Sequence, residues 1–186
     1  MHKGVRLALL LFLVAATTLA LPVRAQEGAS LTQQLFLIKE LKPNTANVGI
    51  IMNATTAANQ SILQELQRAG ASAGVKVFVG SAAELKEVAP VYRDLTRTNS
   101  IDVLWIIDES GVVTDGTARG FLIKTATQSG IPVFGPTSQW VTEGACVNIT
   151  KQDGAIQLVV NKTAAQALNL TIPEKYLERT QFLALN

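Results

Sequence analysis

From Val48 to Ile149, five apolar runs alternate with stretches in which apolar residues recur three and four positions apart, and this alternation leaves few folds open. Val48-Gly49-Ile50-Ile51-Met52 is nearly all apolar, as a strand buried on both faces must be. Asn53–Thr56 ends it with N-cap chemistry for a helix carrying Ala58, Ile62, Leu66 and Ala69 inward, closed by Gly70 and Gly74. Val75–Val79 is the second strand, and Ser81 is placed to cap a helix through Leu85, Val88 and Leu95. Ile101–Ile107 is the third, ending in Asp108. Thr114 or Thr117 opens a helix with Ala118, Phe121, Leu122 and Ala126 inward, stopping at Gly130. Pro132-Val133-Phe134 is the fourth strand, Ser138–Glu143 a brief helix, and Cys146–Ile149 the fifth strand.

Strands separated by helices of this length need crossover connections, and right-handed crossovers put helices on both faces of a parallel sheet. The expected fold is therefore α/β: a Rossmann- or flavodoxin-like sheet of about five parallel strands in the order 2-1-3-4-5. Leu31, Leu35, Ile38 and Leu41 predict a leading helix over 31–41. After the fifth strand, Ala155–Val160 reads as one more short strand and Thr163–Leu168 as a turn or two of helix. Pro173 starts a last turn before the apolar tail Phe182-Leu183-Ala184-Leu185.

The first 25 residues have the layout of an export signal. His2, Lys3 and Arg6 precede an apolar run from Leu7 to Leu21, and Val23-Arg24-Ala25 offers small residues at the two positions a signal peptidase inspects. The run is short of the ~20 residues a spanning helix needs. The expectation is cleavage after Ala25, a periplasmic location, and one domain over residues 26–186. Without Lys3, Arg6 and Arg24 the chain keeps 13 basic against 14 acidic side chains, net −1, and no histidine. That balance offers no electrostatic basis for binding nucleic acid or an anionic membrane. The missing histidine excludes Ser-His-Asp and Cys-His catalysis and His-containing metal sites. Cys146 alone forms no internal disulfide. No GxGxxG, Walker loop, GxSxG or Cys-x-x-Cys occurs, so neither an enzyme nor a cofactor or metal is expected.

In such a sheet ligands meet the carboxyl ends of the strands, beside the point where strand order reverses, here between strands one and three. The candidates at those ends are Asn53, Thr55, Thr56, Asp108, Ser110, Thr137, Ser138 and Trp140. Asp108 could hold a ligand ammonium or hydroxyl; the alternative is a carboxylate capping a turn. Asn53–Thr56 enters a helix N-terminus that favours an anion, or is ordinary capping. An anion site beside a cation site would suit a zwitterion such as an amino acid. Trp140 could stack on an aromatic ligand or simply pack. Glu109 is no acid/base partner for Asp108, because adjacent strand residues point to opposite faces. A phosphoryl-accepting receiver would also place an Asp, a Thr and a Lys near Asp108, Thr137 and Lys151, but Asn53-Ala54-Thr55 stands where its cation site needs carboxylates.

Several segments together resemble a known family: Val48–Ile51 with its polar loop, Asp102–Asp108, Gly130-Ile131-Pro132-Val133-Phe134-Gly135, Val141-x-x-Gly144-Ala145, Val159–Ala165, and Leu170-Thr171-Ile172-Pro173. In this order they look like the ABC transporter substrate-binding proteins of the tryptophan/tyrosine type, whose periplasmic-binding-protein fold closes two Rossmann-like lobes over a ligand. The resemblance implies an exported protein that recognises a small organic, amino acid-like ligand for an ABC permease or a sensor. Carried over by position, Asn53–Thr56, Asp108 and Thr137-Ser138 would face that ligand. The match covers a single lobe, so either a second copy in a homodimer or another protein would supply the second wall. The alternative is a one-lobe regulatory or protein-interaction module of the cell envelope, working through Trp140 and the apolar tail with its transport role lost.

Overall fold

The computed structural model describes residues 28–184, so the leader expected at residues 1–25 and the final residues Leu185 and Asn186 lie outside the described residues. Among the described residues, seven strands form one sheet in the order β2-β1-β3-β4-β5-β6-β7. The strands are β1 (Asn47–Asn53), β2 (Lys76–Ala82), β3 (Val103–Trp105), β4 (Val133–Gly135), β5 (Val147–Gln152), β6 (Ala155–Asn161) and β7 (Thr180–Leu183). Strands β1 to β5 are all parallel and ordered 2-1-3-4-5, as the alternating pattern requires.

The expected count of about five is corrected to seven. β6 runs antiparallel to β5, with Gln152 opposite Ala155. That register leaves the two-residue turn Asp153-Gly154, with φ of 50° and 79°. Positive φ at both positions is the type I′ geometry whose twist matches a hairpin. The hairpin continues past β4, which pairs only with Val147 and Asn148. Thr180–Leu183, which overlaps the expected apolar tail at Phe182 and Leu183, is a parallel edge strand placing Phe182 beside Val160.

Among the described residues, eight α-helices lead into or join these strands: α1 (Leu31–Leu41), α2 (Ala54–Ala57), α3 (Gln60–Ala73), α4 (Leu85–Arg97), α5 (Gly116–Gln128), α6 (Ser138–Thr142), α7 (Lys162–Ala167) and α8 (Glu174–Leu177). The leading helix has the bounds its periodicity predicts, opened by a capping box in which Ser30 and Gln33 satisfy each other's backbone N–H. Three caps differ from expectation. The helix expected after Asn53 is split, and Asn59 caps its longer part by accepting from the Ser61 N–H at 3.1 Å. Ser81 lies inside β2, and Glu84 stands at the N-cap of α4 instead. Asp115, not Thr114 or Thr117, caps α5.

Strand parity divides the core. Ile50, Met52, Trp105, Phe134 and Val147 face α1, α3 and α7, while Ile51, Leu104, Ile106 and Val133 face α4, α5 and α6. Each such fully buried side chain contributes roughly 1.5–3 kcal/mol relative to exposure. The two packed faces hold the strand ends rigid, and the carboxyl edge of β1 to β5 becomes a fixed platform. No helix among the described residues is long and apolar enough to cross a membrane.

Candidate functional site

At the edge where strand order reverses, parallel pairing of Ile50 with Trp105 brings the ends of β1 and β3 side by side. Asp108 follows β3 and reaches across to β1. Its Oδ2 accepts from the Asn53 backbone N–H at 2.6 Å, and its Oδ1 accepts from the Thr56 hydroxyl at 2.5 Å. The Asn53 side chain in turn donates to the Ser110 carbonyl at 2.6 Å and accepts from the Val113 N–H at 3.1 Å. Gly111, at φ 100°, lets the loop pass; a Cβ there would lie 2.5 Å from Asn53 Nδ2. This interlock borders a flank cavity of about 340 Å³ that Thr55 and Ser110 also line. Asp108 thus links the end of β3 to the N-cap residue of α2 and to Thr56.

A second, larger cavity of about 450 Å³ lies across the ends of β3, β4 and β5. One wall is the strand ends, with Ile106, Ile107, Glu109, Pro136, Thr137 and Ser138; a second is the β5–β6 hairpin and β7, with Asn148, Ile149, Thr150, Val159 and Gln181; Gly28 and Gln34 complete it. Asp108 lines the flank cavity and Glu109 the central one. Among the described residues, Glu109 is the only ionisable side chain in the central lining. All of these walls come from one copy of the chain.

Residues 25–156, most of the chain, match the model of the ABC transporter substrate binding protein family. The chain belongs to that family. Three solved structures resemble it: a conserved domain protein from Vibrio cholerae (26% identity, TM-score 0.67), an ABC domain in complex with L-Trp from Streptococcus pneumonia (19%, 0.69), and a ligand-free, open substrate binding protein with adhesive properties from Clostridium difficile (19%, 0.66). They cover 83%, 82% and 85% of this chain, which spans 60%, 60% and 61% of theirs. The latter two, by their low identity, speak to the fold alone. No curated protein matches the sequence.

In this substrate-binding family member, Trp140 is the sequence candidate that the structure moves away from the site. It is 1% exposed, lines neither cavity, and packs in the core with α4 and α5. Gly135 makes the room: a Cβ there would lie 2.3 Å from Trp140 Cβ. The Arg119 guanidinium sits 6.0 Å from the ring centroid and grips Glu143 through two nitrogens, at 2.5 and 2.7 Å. The hydrogen bonds from Arg119 hold the Glu143 carboxyl below its usual range. Of the roles weighed for Trp140, stacking on a ligand, serving a partner interface and packing, the structure shows packing. Cys146 is buried as well, and desolvation pushes its thiol up to about 11. Among the described residues, no group of three or more His, Cys, Asp or Glu is placed to hold a metal.

Of the other candidates, Thr137 and Ser138 line the central cavity, while Asn53, Thr55, Thr56, Asp108 and Ser110 gather at the flank cavity. Sequence reasoning omits Gln34, Asn148 and Gln181, and weighs Glu109 only as an acid/base partner for Asp108. Only Asn148 carried a legible signal, a polar residue inside the apolar run Cys146–Ile149. Its buried amide donates to the Gly135 carbonyl at 3.1 Å, tying β5 to β4 at the cavity floor.

Proposed function

We propose that this member of the ABC transporter substrate binding family is an exported, periplasmic protein, cleaved after Ala25, that takes a small organic ligand in the central cavity. Thr137 and Ser138 contact the ligand, and an ABC permease or a sensor receives the complex. The observation that carries this reading is the cavity itself, about 450 Å³ at the carboxyl ends of β3 to β5, within the size range of small-molecule sites. The amino acid-like class expected from the sequence is the first to test, since one structural neighbour is a complex with L-Trp. The Asp108 interlock shapes the neighbouring loop rather than touching the ligand.

The test is thermal melting of the chain from Gln26 against a panel of amino acids, amines and small anions. A ligand at a hundred times its Kd adds about 2.7 kcal/mol, which raises the melting temperature of a domain this size by roughly 5–10 °C. A panel that moves it nowhere refutes the reading.

A second reading, the cell-envelope interaction module, draws on the edge strand β7, where Phe182 is 44% exposed. An open strand edge is a template for pairing with a second copy or another protein. Replacing Phe182 by Asp then abolishes association while the fold survives. A chain that stays monomeric and captures nothing from its own envelope refutes this alternative.

A further inference from the structure

The lining of the central cavity has a chemical bias, and its geometry points to an aliphatic amine cation as the ligand. This inference rests on the reading of that cavity as the ligand site. Among the described residues, the only ionisable side chain in the lining is Glu109, which is exposed, and no Lys, Arg or His lines the cavity.

Of the three amides in the lining, Gln34, Asn148 and Gln181, two are oriented by the protein. Asn148 Nδ2 donates to the Gly135 carbonyl at 3.1 Å, and Gln34 Nε2 donates to the Ala29 carbonyl at 2.8 Å. A carbonyl can only accept, so each of these amides spends one of its two N–H donors on the protein. Each retains its oxygen and one N–H. The hydroxyls of Thr137 and Ser138 serve either sign. A ligand carboxylate would meet no side-chain counter-charge among the described residues and would face Glu109, whereas an ammonium finds a carboxylate and amide oxygens able to accept. The apolar part of the lining is Ile106, Ile107, Pro136, Ile149 and Val159. No aromatic ring lines the cavity, so it suits an alkyl chain and offers no stacking surface.

Three compounds with one four-carbon chain separate charge from shape: 1,4-diaminobutane, 4-aminobutanoate and succinate. Titration calorimetry of the chain from Gln26 is expected to give tightest binding for the diamine, at least tenfold weaker binding for the zwitterion, and no heat for succinate. Glu109→Gln, an exposed change, is expected to weaken the diamine about tenfold with the melting temperature of the free protein unchanged. Tighter binding of the zwitterion or the dianion overturns the amine assignment and keeps the cavity as the site. So does diamine affinity within twofold of wild type in Glu109→Gln. If other compounds of the melting panel bind while all three probes are silent, the amine assignment again fails alone. Silence from every compound overturns both.

Discussion

Replacing Asp108 by Ala tests whether this carboxylate is a latch or a ligand contact. The half-buried side chain accepts from the Asn53 N–H at 2.6 Å and from the Thr56 hydroxyl at 2.5 Å. Hydrogen bonds to an ionised group contribute about 1.5–3 kcal/mol each when well buried. Partial exposure lowers that, so the loss expected for Asp108→Ala is about 2–3 kcal/mol for the pair. Thr56→Val removes one of the two bonds and is expected to cost about 1 kcal/mol. Because the two residues share a bond, the double variant should lose less than the sum by roughly 1 kcal/mol. Urea denaturation reads all three values, with the slope m unchanged if only stability moves. Ligand affinity in the central cavity should stay within about twofold in Asp108→Ala. A stability change under about 0.5 kcal/mol would refute the latch. Intact stability with abolished ligand affinity would return Asp108 to the ligand-facing role expected from the sequence.

Trp140→Ala is expected to cost about 3–5 kcal/mol in the same assay, as truncation of a fully buried aromatic does, and near-neutral stability would contradict its core position. The depressed Glu143 carboxyl contributes stability above its unfolded value near 4.5, lost as pH falls through its lower folded value. Glu143 is 36% exposed, so this part is under about 1 kcal/mol, and Glu143→Gln should flatten it between pH 5 and 3 in pH-dependent melts. Cys146, with its thiol raised to about 11, should resist a thiol reagent at pH 8 in the native protein and react fully in denaturant; rapid native labelling would contradict its burial.

The parallel core is legible in the sequence because Val48–Met52 and its counterparts are nearly continuous apolar runs, and such runs fit a sheet covered on both faces. β7 is not legible in that way. Thr180-Gln181-Phe182-Leu183 is a half-covered edge, and what makes it a strand is β6, beside which it settles in register. The placement of Asp108 at the end of a central strand follows from the alternation. What engages its oxygens does not, because Thr56 comes within reach only through the β1–β3 register and the break after α2. Trp140 misleads because a helix as short as Ser138–Thr142 has too little periodicity to declare its inner face. Gly135 is the clue, a residue without a Cβ where the ring must pass. The central cavity is the least legible feature, since its walls join Gln34, Glu109, Asn148 and Gln181 from four separate parts of the chain.

The central claim is that one copy of this chain suffices to bind a small ligand in the central cavity, with the β5–β6 hairpin and the start of α1 serving as walls beside the strand ends. Binding stoichiometry, measured by titration calorimetry on protein whose mass in solution is fixed by sedimentation, tests it most directly. The account expects one ligand per chain on a monomer. One ligand per two chains, with dimers forming as ligand is added, would contradict it.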